Sequence, residues 1–302
     1  MFVAGIAYSV DELVDVSEYA ARGWSGPEEV EHLRSLGLSQ TYFDRRNFSD
    51  MFHASVMSTL SQAGLKLAEI DHLITVTNSD IWDGSDEQEL WVALSDLGFS
   101  SLRVLGLQYQ ASSGFGSALY QAQSLVRGCG ARNVLIVLPT RMRKGLRYPA
   151  NRSTVYGDGF ASCLVTAAPG PYRLLASTSI CYPNKGRTAG GSQPSLMQEG
   201  LNMMREVAEE LYRQSEATPH DIDVLFATSA NATLYGVIAG CARLPRNLVW
   251  EQQLARHGHV GACDNVIGMV DRLNEGLKQS GERYMLLNWG QVVSSGAVLQ
   301  AV

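Results

Sequence analysis

The chain has 302 residues, which is enough for one large domain or two of ordinary size. It is 45% apolar and 18% charged with 29 glycines, a composition typical of a globular protein with many tight turns. The net charge of −6 gives no reason to expect nucleic acid or an anionic membrane as partner, and no apolar run approaches the ~20 residues of a membrane span.

Cysteine and histidine usage indicates a reducing compartment and no metal site. The five cysteines are an odd number, widely spread and without a Cys-x-x-Cys pair, so we expect reduced thiols in a cytoplasmic protein. Residues 1–10 also lack the basic segment of a signal peptide. Of the six histidines, only His257 and His259 are close in sequence, and no further obvious ligands accompany them. We therefore predict no metal.

In chain order, the pattern predicts a helix over 56–67, a strand over 70–77 and an apolar strand over 102–107. The turn that follows, residues 110–115, reads Gln-Ala-Ser-Ser-Gly-Phe and leads into an amphipathic helix. Backbone N–H groups at a helix start are unpaired, so a nucleophile there would have its oxyanion stabilised by the same backbone. Serine before a helix is also a common N-cap. The turn alone therefore leaves two interpretations of Ser112 open.

The second half of the chain repeats the first. Residues 70–77 recur as residues 222–229, and two further segments match at nearly the same offset. Each half shows the order helix, strand, helix, strand, helix, strand, which indicates internal duplication. The segment 167–171 is rich in proline and glycine and separates the halves. We therefore predict two domains, 1–168 and 169–302, with a site at their junction.

This organisation resembles the thiolase fold and, more closely, the ketoacyl-acyl-carrier-protein synthase III family. Five segments carry the resemblance in order along nearly the whole chain: Ser112–Phe115, Arg152–Gly159, His220–Asn231, His257–Ala262 and Asn288–Gly290. The resemblance implies an α/β fold with two pseudo-symmetric halves in a layered α-β-α-β-α arrangement. It also implies a dimer, either homo- or hetero-, for which the strand 102–107 is the natural candidate for pairing between subunits.

The same resemblance shows where this sequence departs from the family. Members that condense acyl groups use Cys, His and Asn, and this chain has Ser112, Thr228 and His259 at those positions. Because threonine cannot replace an imidazole, we expect acyl transfer without decarboxylative condensation. Ser112 is then the nucleophile and His259 its general base, with the backbone N–H groups of Ser112 and Gly290 as oxyanion donors. Asp264 either orients His259 or caps the next helix.

The resemblance also suggests how the acyl donor binds. Arg152 corresponds to the family's adenine-stacking arginine, whereas Glu31 and Ser35 replace the Trp and Arg that grip coenzyme A. A carrier-protein-bound donor is therefore favoured over free acyl-CoA. Either would be a co-substrate, and no resident cofactor is predicted. The other residues assigned to substrate binding are Thr228, Asn231 and Phe115.

Basic residues offer candidate docking surfaces for an acidic carrier protein. One cluster comprises Arg141, Arg143, Lys144 and Arg147, and the alternative set is Arg243, Arg246 and Arg256. An ordinary solvated loop is the favoured alternative for the first cluster. His257 is expected to pack or to face solvent. Cys263 aligns with Ser112 in the repeat, and the other thiols, Cys129, Cys163, Cys181 and Cys241, are expected in the core.

The sequence thus predicts a synthase-III-like acyltransferase of secondary metabolism, polyketide or fatty-acid-like, that moves an acyl group through Ser112. Two alternatives remain open. Ser112 and His259 could be remnants in a non-catalytic partner subunit of a heterodimeric ketosynthase-like enzyme, or the acyl-serine could be released by water in a thioester hydrolase.

Overall fold

The structure is a computed structural model that describes residues 1–18, 26–77, 84–142, 147, 153–183, 193–290 and 292–302. Three residues named in the predictions, Arg143, Lys144 and Arg152, lie outside the described residues. No helix in the described ranges is long and apolar enough to cross a membrane.

The described ranges contain eleven strands and eight α-helices. The strands are β1 (Phe2–Ser9), β2 (Glu12–Asp15), β3 (Gln40–Phe43), β4 (His72–Val76), β5 (Arg103–Leu107), β6 (Asn133–Thr140), β7 (Gly159–Thr166), β8 (Tyr172–Cys181), β9 (Val224–Ala227), β10 (Arg283–Trp289) and β11 (Val293–Ala301). The helices are α1 (Pro27–Ser35), α2 (Phe48–Ala63), α3 (Gly84–Asp96), α4 (Gly114–Gly128), α5 (Gln193–Ser215), α6 (Ala232–Cys241), α7 (Gln252–His257) and α8 (Asp264–Asn274).

Nine of these strands form one mixed sheet in the order β5-β4-β6-β7-β1-β8-β11-β10-β9, and β2 pairs with β3 separately. The first five strands belong to the N-terminal half and the last four to the C-terminal half. The halves join where the starts of β1 and β8 pair antiparallel. In the second half, a single parallel bridge between Leu225 and Val249 stands where the first half has the whole of β5.

Helices cover both faces of each half-sheet, which gives the expected five layers. The outer layer formed by α2 and α3 packs on the first half through an apolar cluster that includes Phe52 and Leu135. The middle layer, α4 and α8, lies between the half-sheets and contributes Phe115 and Ile267 to a shared core. The other outer layer, α5 and α6, packs on the second half. Because the middle core belongs to both halves, the boundary at 168/169 stays a prediction.

The internal repeat extends to the turns that precede the two middle helices. Residues 111–113 form a single 3-10 turn before α4, and residues 261–263 form one before α8. Each turn begins with a left-handed residue, Ala111 at φ 45° and Gly261 at φ 59°. Matching the turns therefore pairs Cys263 with Ser113, which corrects the expected alignment with Ser112 by one residue.

Candidate active site

Ser112 and His259, expected to act together, are in contact. Ser112 lies in the 3-10 turn between β5 and α4, and His259 lies in the loop between α7 and α8, which belongs to the other half of the chain. Ser112 Oγ is 2.9 Å from His259 Nε2. Both side chains are buried, with Ser112 8% and His259 2% exposed. The fold thus brings the predicted nucleophile and the predicted base to the junction of the two halves.

The other ring nitrogen of His259 contacts a carboxylate. His259 Nδ1 lies 2.7 Å from Asp264 Oδ2. The same carboxylate accepts the N–H of Ser229 at 2.7 Å and the N–H of Val260 at 2.8 Å. Of the two roles left open for Asp264, the contact that orients His259 is therefore present. A carboxylate on Nδ1 keeps the proton there and turns the lone pair of Nε2 toward the serine.

A segment of the first half holds His259 from its other side. Tyr156 forms a parallel β-bridge with His259, and the Gly157 N–H donates to the His259 carbonyl oxygen at 2.8 Å. The rings of Tyr156 and His259 are 4.9 Å apart between centroids and inclined by 40°. The sequence prediction did not single out Tyr156. The sequence feature that could have identified Tyr156 is its place directly before Gly157 and Asp158, in a segment that resembles the family.

Asp158 anchors that segment in the interior. Its carboxylate accepts the N–H of Met142 at 2.7 Å and that of Asp44 at 3.1 Å, and it forms an ion pair with Arg147. Arg147 is 3% exposed and lies over the ring of Phe43 at 4.9 Å. The assignment of Arg147 to a docking cluster is therefore wrong, because a buried guanidinium paired with a buried carboxylate cannot meet a carrier protein.

The other described arginines of the two docking sets lie nearer the surface and have acidic partners. Arg141 is 3.4 Å from Glu89. The alternative set forms one ion pair per residue: Arg243 with Glu209, Arg246 with Glu251, and Arg256 with Glu275. Exposed pairs of this kind are weak and can open for a partner. Docking through these residues stays a prediction.

The turn that carries Ser112 has an unusual backbone. Tyr109 and Ala111 both have positive φ, 61° and 45°, a region that non-glycine residues enter only at an energetic cost. The first hydrogen bond of the turn runs from the Ser113 N–H to the Gln110 carbonyl at 3.0 Å. The N–H of Ser112 precedes that bond in the turn, and its role as an oxyanion donor stays a prediction.

Gly290 lies against the same turn, but its N–H has another partner. That N–H donates to the Val293 carbonyl at 2.9 Å. The prediction that it serves as a second oxyanion donor is therefore corrected, because the bond is already made within the chain. Glycine is required here for space. A Cβ at Gly290 would lie 2.9 Å from Gln110 O and 3.0 Å from Ser113 Oγ.

Three residues assigned to substrate binding make contacts with the protein framework. Thr228 Oγ1 accepts the Trp289 N–H at 2.9 Å. Asn231 caps α6 by accepting a backbone N–H at 2.9 Å, and it donates to a backbone carbonyl at 2.9 Å. Phe115 is completely buried in the middle core, so its assignment to substrate contact is wrong. Binding roles for Thr228 and Asn231 stay predictions.

Two of the five cysteines are exposed to solvent, contrary to the prediction from the sequence. Cys129 and Cys181 are exposed, which corrects their assignment to the core. Both stand at ends of elements, where Cys129 follows α4 and Cys181 closes β8. Cys163, Cys241 and Cys263 are buried as expected. Burial raises the pKa of Cys263 to about 12, which keeps it as a protonated thiol rather than a second nucleophile.

The layered fold, its internal repeat and the turn of Ser112 at the junction of the halves are those of the thiolase-like fold. No family model matches the sequence. The chain is 24% identical, over an alignment of 312 positions, to the mycobacterial beta-ketoacyl-[acyl-carrier-protein] synthase III of Mycobacterium tuberculosis strain H37Rv, covering 96% of this chain and 92% of that protein. It is also 24% identical to the beta-ketoacyl-[acyl-carrier-protein] synthase III of Oleidesulfovibrio alaskensis, over 83% of each chain.

Solved structures agree with these sequence relatives. ChlB3, named an acyltransferase, superposes with a TM-score of 0.85 at 22% identity and covers 100% of this chain and 97% of its own. The 3-oxoacyl-[acyl-carrier-protein] synthase III of Aquifex aeolicus VF5 superposes with a TM-score of 0.82 at 16% identity over 99% of both chains. The predicted fold and the resemblance to synthase III proteins are both confirmed.

Proposed function

We propose that this protein is an acyltransferase in which Ser112 takes an acyl group from a thioester and passes it to an acceptor without forming a carbon–carbon bond. The observation that carries the proposal is the hydrogen-bonded series Ser112, His259 and Asp264, with contacts of 2.9 and 2.7 Å. Relatives named synthase III, acyltransferase and, from the R1128 polyketide pathway, priming β-ketosynthase support a related enzymatic role in secondary metabolite biosynthesis.

In the first step, Ser112 Oγ attacks the carbonyl carbon of the thioester while its proton moves to His259 Nε2. The imidazolium that forms is stabilised by the carboxylate of Asp264. The Ser112 N–H donates to the oxyanion, an interaction worth about 10²–10³ in rate for one donor. Collapse of the tetrahedral intermediate breaks the carbon–sulfur bond, and the departing thiolate takes the proton from His259. The products are an ester of Ser112 and a free thiol.

The second step reverses the proton movements. An acceptor hydroxyl, amine or thiol gives its proton to His259 Nε2 and attacks the ester carbonyl of the acyl-enzyme. The Ser112 oxygen then leaves and recovers its proton from His259, which returns the site to its starting state. Water in place of the acceptor would make the same sequence a hydrolysis.

The residue at the histidine position of the family's condensing set supports transfer rather than condensation. Thr228 stands where the condensing members have a histidine, so no imidazole donates to a thioester carbonyl from this position. Its hydroxyl accepts the Trp289 N–H. The remaining imidazole, His259, hydrogen-bonds to the serine. A malonyl partner would therefore lack the paired donors that decarboxylation uses in the family. The proposed donor is an acyl-carrier-protein or coenzyme A thioester.

We also propose that two chains pair through β5, in a homodimer or with a ketosynthase-like homologue. This strand is the edge of the nine-stranded sheet, and its residues Val104 and Leu105 are each 37% exposed. Tyr109, just beyond it, is 71% exposed. An apolar edge strand with open hydrogen-bonding groups is a ready template for another strand.

Intact mass spectrometry tests the acyl-enzyme directly. The protein is incubated with acetyl-, hexanoyl- and benzoyl-coenzyme A and with the same acyl groups on a phosphopantetheinylated carrier protein. We expect a mass increase of one acyl group from at least one donor, absent in Ser112→Ala. The matched control is Ser113→Ala, since Ser113 Oγ is bonded to the Gln110 carbonyl rather than to His259 and its loss should leave the adduct intact.

The alternatives give different results in this experiment. A non-catalytic subunit would by itself form no adduct and release no thiol from any donor, and it would copurify with a cysteine-containing homologue. A hydrolase would release thiol and free acid continuously, at a rate that added hydroxyl, amine or thiol acceptors do not change. An adduct that survives Ser112→Ala would refute the proposed nucleophile.

A further inference from the structure

A second buried histidine–aspartate pair lies near the first. His257 Nε2 is 2.6 Å from Asp271 Oδ2, and the Tyr8 hydroxyl donates to Asp271 Oδ1 at 2.9 Å. The ring of Tyr42 stacks on His257 with centroids 5.0 Å apart and planes within 16°. His257 and Asp271 are each 8% exposed. Neither residue takes part in the chemistry proposed for Ser112.

The two pairs share the same two stretches of chain. His257 and His259 are separated by one residue, and Asp264 and Asp271 are the first and eighth residues of α8. Seven residues make about two helical turns, so the carboxylates lie on one face of α8, about 10 Å apart along its axis. Each histidine contacts one of them. The loop from α7 to α8 is therefore fastened to α8 at two points.

Gly258, between the two histidines, sets the direction of the backbone from the His257–Asp271 contact to the His259–Asp264 contact. Gly258 has φ 66° and ψ −146°, a conformation that residues with a side chain rarely adopt. A Cβ there would lie 3.0 Å from the Gln40 carbonyl oxygen of β3. The backbone thus passes close against β3, with His257 directed to Asp271 on one side and His259 to Ser112 on the other.

Few other polar contacts hold the His257 ring. Its Nδ1 has no hydrogen-bond partner among the described residues. Within those residues the ring is therefore hydrogen-bonded only through Nε2, to Asp271. Burial, and after it the neighbouring Asp271, raises the pKa of Tyr8, so its hydroxyl remains a donor to the carboxylate. Asp271 is thereby directed at His257 by a partner on β1.

We propose that His257 and Asp271 are positioning residues that hold His259 within reach of both Ser112 and Asp264. By joining the end of α7 to the middle of α8, the pair fixes the start of the loop that carries the base. The kinetic consequence rests on the proposed function, whereas the geometric consequence does not. Displacements of about 1 Å at a reacting group can cost about 10²-fold in rate.

The test removes the pair without leaving a charge in the interior. Removing His257 alone would strand a buried carboxylate, which destabilises the fold by itself. The double variant His257→Phe/Asp271→Leu replaces both partners with apolar groups, and the ring of phenylalanine still stacks on Tyr42. The matched control is Glu275→Gln, which breaks the exposed ion pair of Glu275 with Arg256 between the same two stretches of chain and leaves Arg256 in place.

Two readouts are measured on each folded variant. The first is the low-field proton signal of the His259 Nδ1–H in ¹⁵N-histidine-labelled protein, assigned by its loss in His259→Gln. The second is the rate of Ser112 acylation at varied donor concentration. In the double variant we expect the signal to shift or broaden and the rate to fall about 10- to 100-fold, with half-saturation within about twofold. The control should match the wild type in both.

A folded double variant with an unchanged His259 signal would overturn the proposal, whatever its acylation rate. An equal change of the His259 signal in the control would overturn the proposal too. The position of His259 would then depend equally on a surface ion pair between these stretches of chain and not specifically on His257 and Asp271. If the wild type forms no acyl-Ser112, the proposed function fails. The proton signal alone then decides whether His257 and Asp271 position His259.

Discussion

Replacing Asp264 with asparagine isolates the contribution of one carboxylate to the chemistry. Three N–H groups converge on its two oxygens: those of His259 and Ser229 on Oδ2, and that of Val260 on Oδ1. Asparagine offers one oxygen and one NH₂ group. If the oxygen remains at the Oδ2 position, the NH₂ faces the Val260 N–H. If the amide flips, the NH₂ faces His259 Nδ1 and drives the proton to Nε2.

Both arrangements weaken the base. In the flipped one, His259 Nε2 carries the proton and cannot accept another from Ser112. In the other, the imidazolium formed during proton transfer loses its counter-charge. We expect the acylation rate of Asp264→Asn to fall about 10³- to 10⁴-fold, equivalent to roughly 4–5.5 kcal/mol at 1.36 kcal/mol for each factor of ten. Stability should fall by about 1–3 kcal/mol for the disturbed buried hydrogen bonds.

Single-turnover acylation, followed by intact mass and by release of the donor thiol, measures the rate, and urea denaturation measures stability. The control is Asp223→Asn. That carboxylate also accepts a backbone N–H, from Arg283 at 2.8 Å, but it lies at the surface away from Ser112, so the rate should not change. A folded Asp264→Asn that acylates Ser112 within tenfold of the wild-type rate would refute the assignment of Asp264 to the catalytic series.

Three further outcomes follow from features of the described residues. Gly290→Ala should lower the midpoint of thermal unfolding and the acylation rate together, because the new Cβ would lie 2.7 Å from a carbonyl oxygen, an overpacking worth about 1–3 kcal/mol. Unchanged melting would contradict the crowding. Leu105→Lys should convert a dimer to a monomer in light scattering after size exclusion, and a dimer of unchanged affinity would exclude β5 as the interface. Iodoacetamide at pH 8 should modify Cys129 and Cys181 in the native protein and spare Cys263, since a raised pKa leaves almost no thiolate at that pH. Peptide mapping before and after denaturation checks the order of modification.

The sequence predicted the meeting of Ser112 and His259 because the resemblance indicated which two loops of the fold face each other. It left Asp264 open for a physical reason. A carboxylate at the first residue of a helix has an ordinary explanation as a cap, and nothing in a linear sequence shows where the ring of His259 turns. The contact became visible only when the positions of α8 and the loop before it were known.

Other predictions failed where a residue's partner is distant or its exposure depends on the end of an element. Arg147 stands among basic residues, which suggested a solvated surface, but Asp158 draws it into the interior. Gly290 was placed correctly beside the turn that carries Ser112. Its N–H is not free for an oxyanion, because it donates to the Val293 carbonyl within the hairpin from β10 to β11. Cys129 directly follows the last residue of α4 and Cys181 is the last residue of β8, and at these ends both side chains reach solvent. Each failure concerns a contact or a solvent exposure that the local pattern of residue types does not encode.

The unequal ends of the nine-stranded sheet bear on how large an assembly this chain can build. At one end β5 presents a complete strand, whereas at the other the place beside β9 is taken by the segment at Val249, bridged to Leu225 and followed by a bond from the Trp250 N–H to the Leu225 carbonyl. Pairing through β5 with an identical edge would be isologous, and among the described residues the segment at Val249 partly covers the other edge of the sheet. If the proposed pairing holds, growth by strand addition stops at two copies, and the asymmetry that truncates the repeat would then prevent open-ended polymerisation.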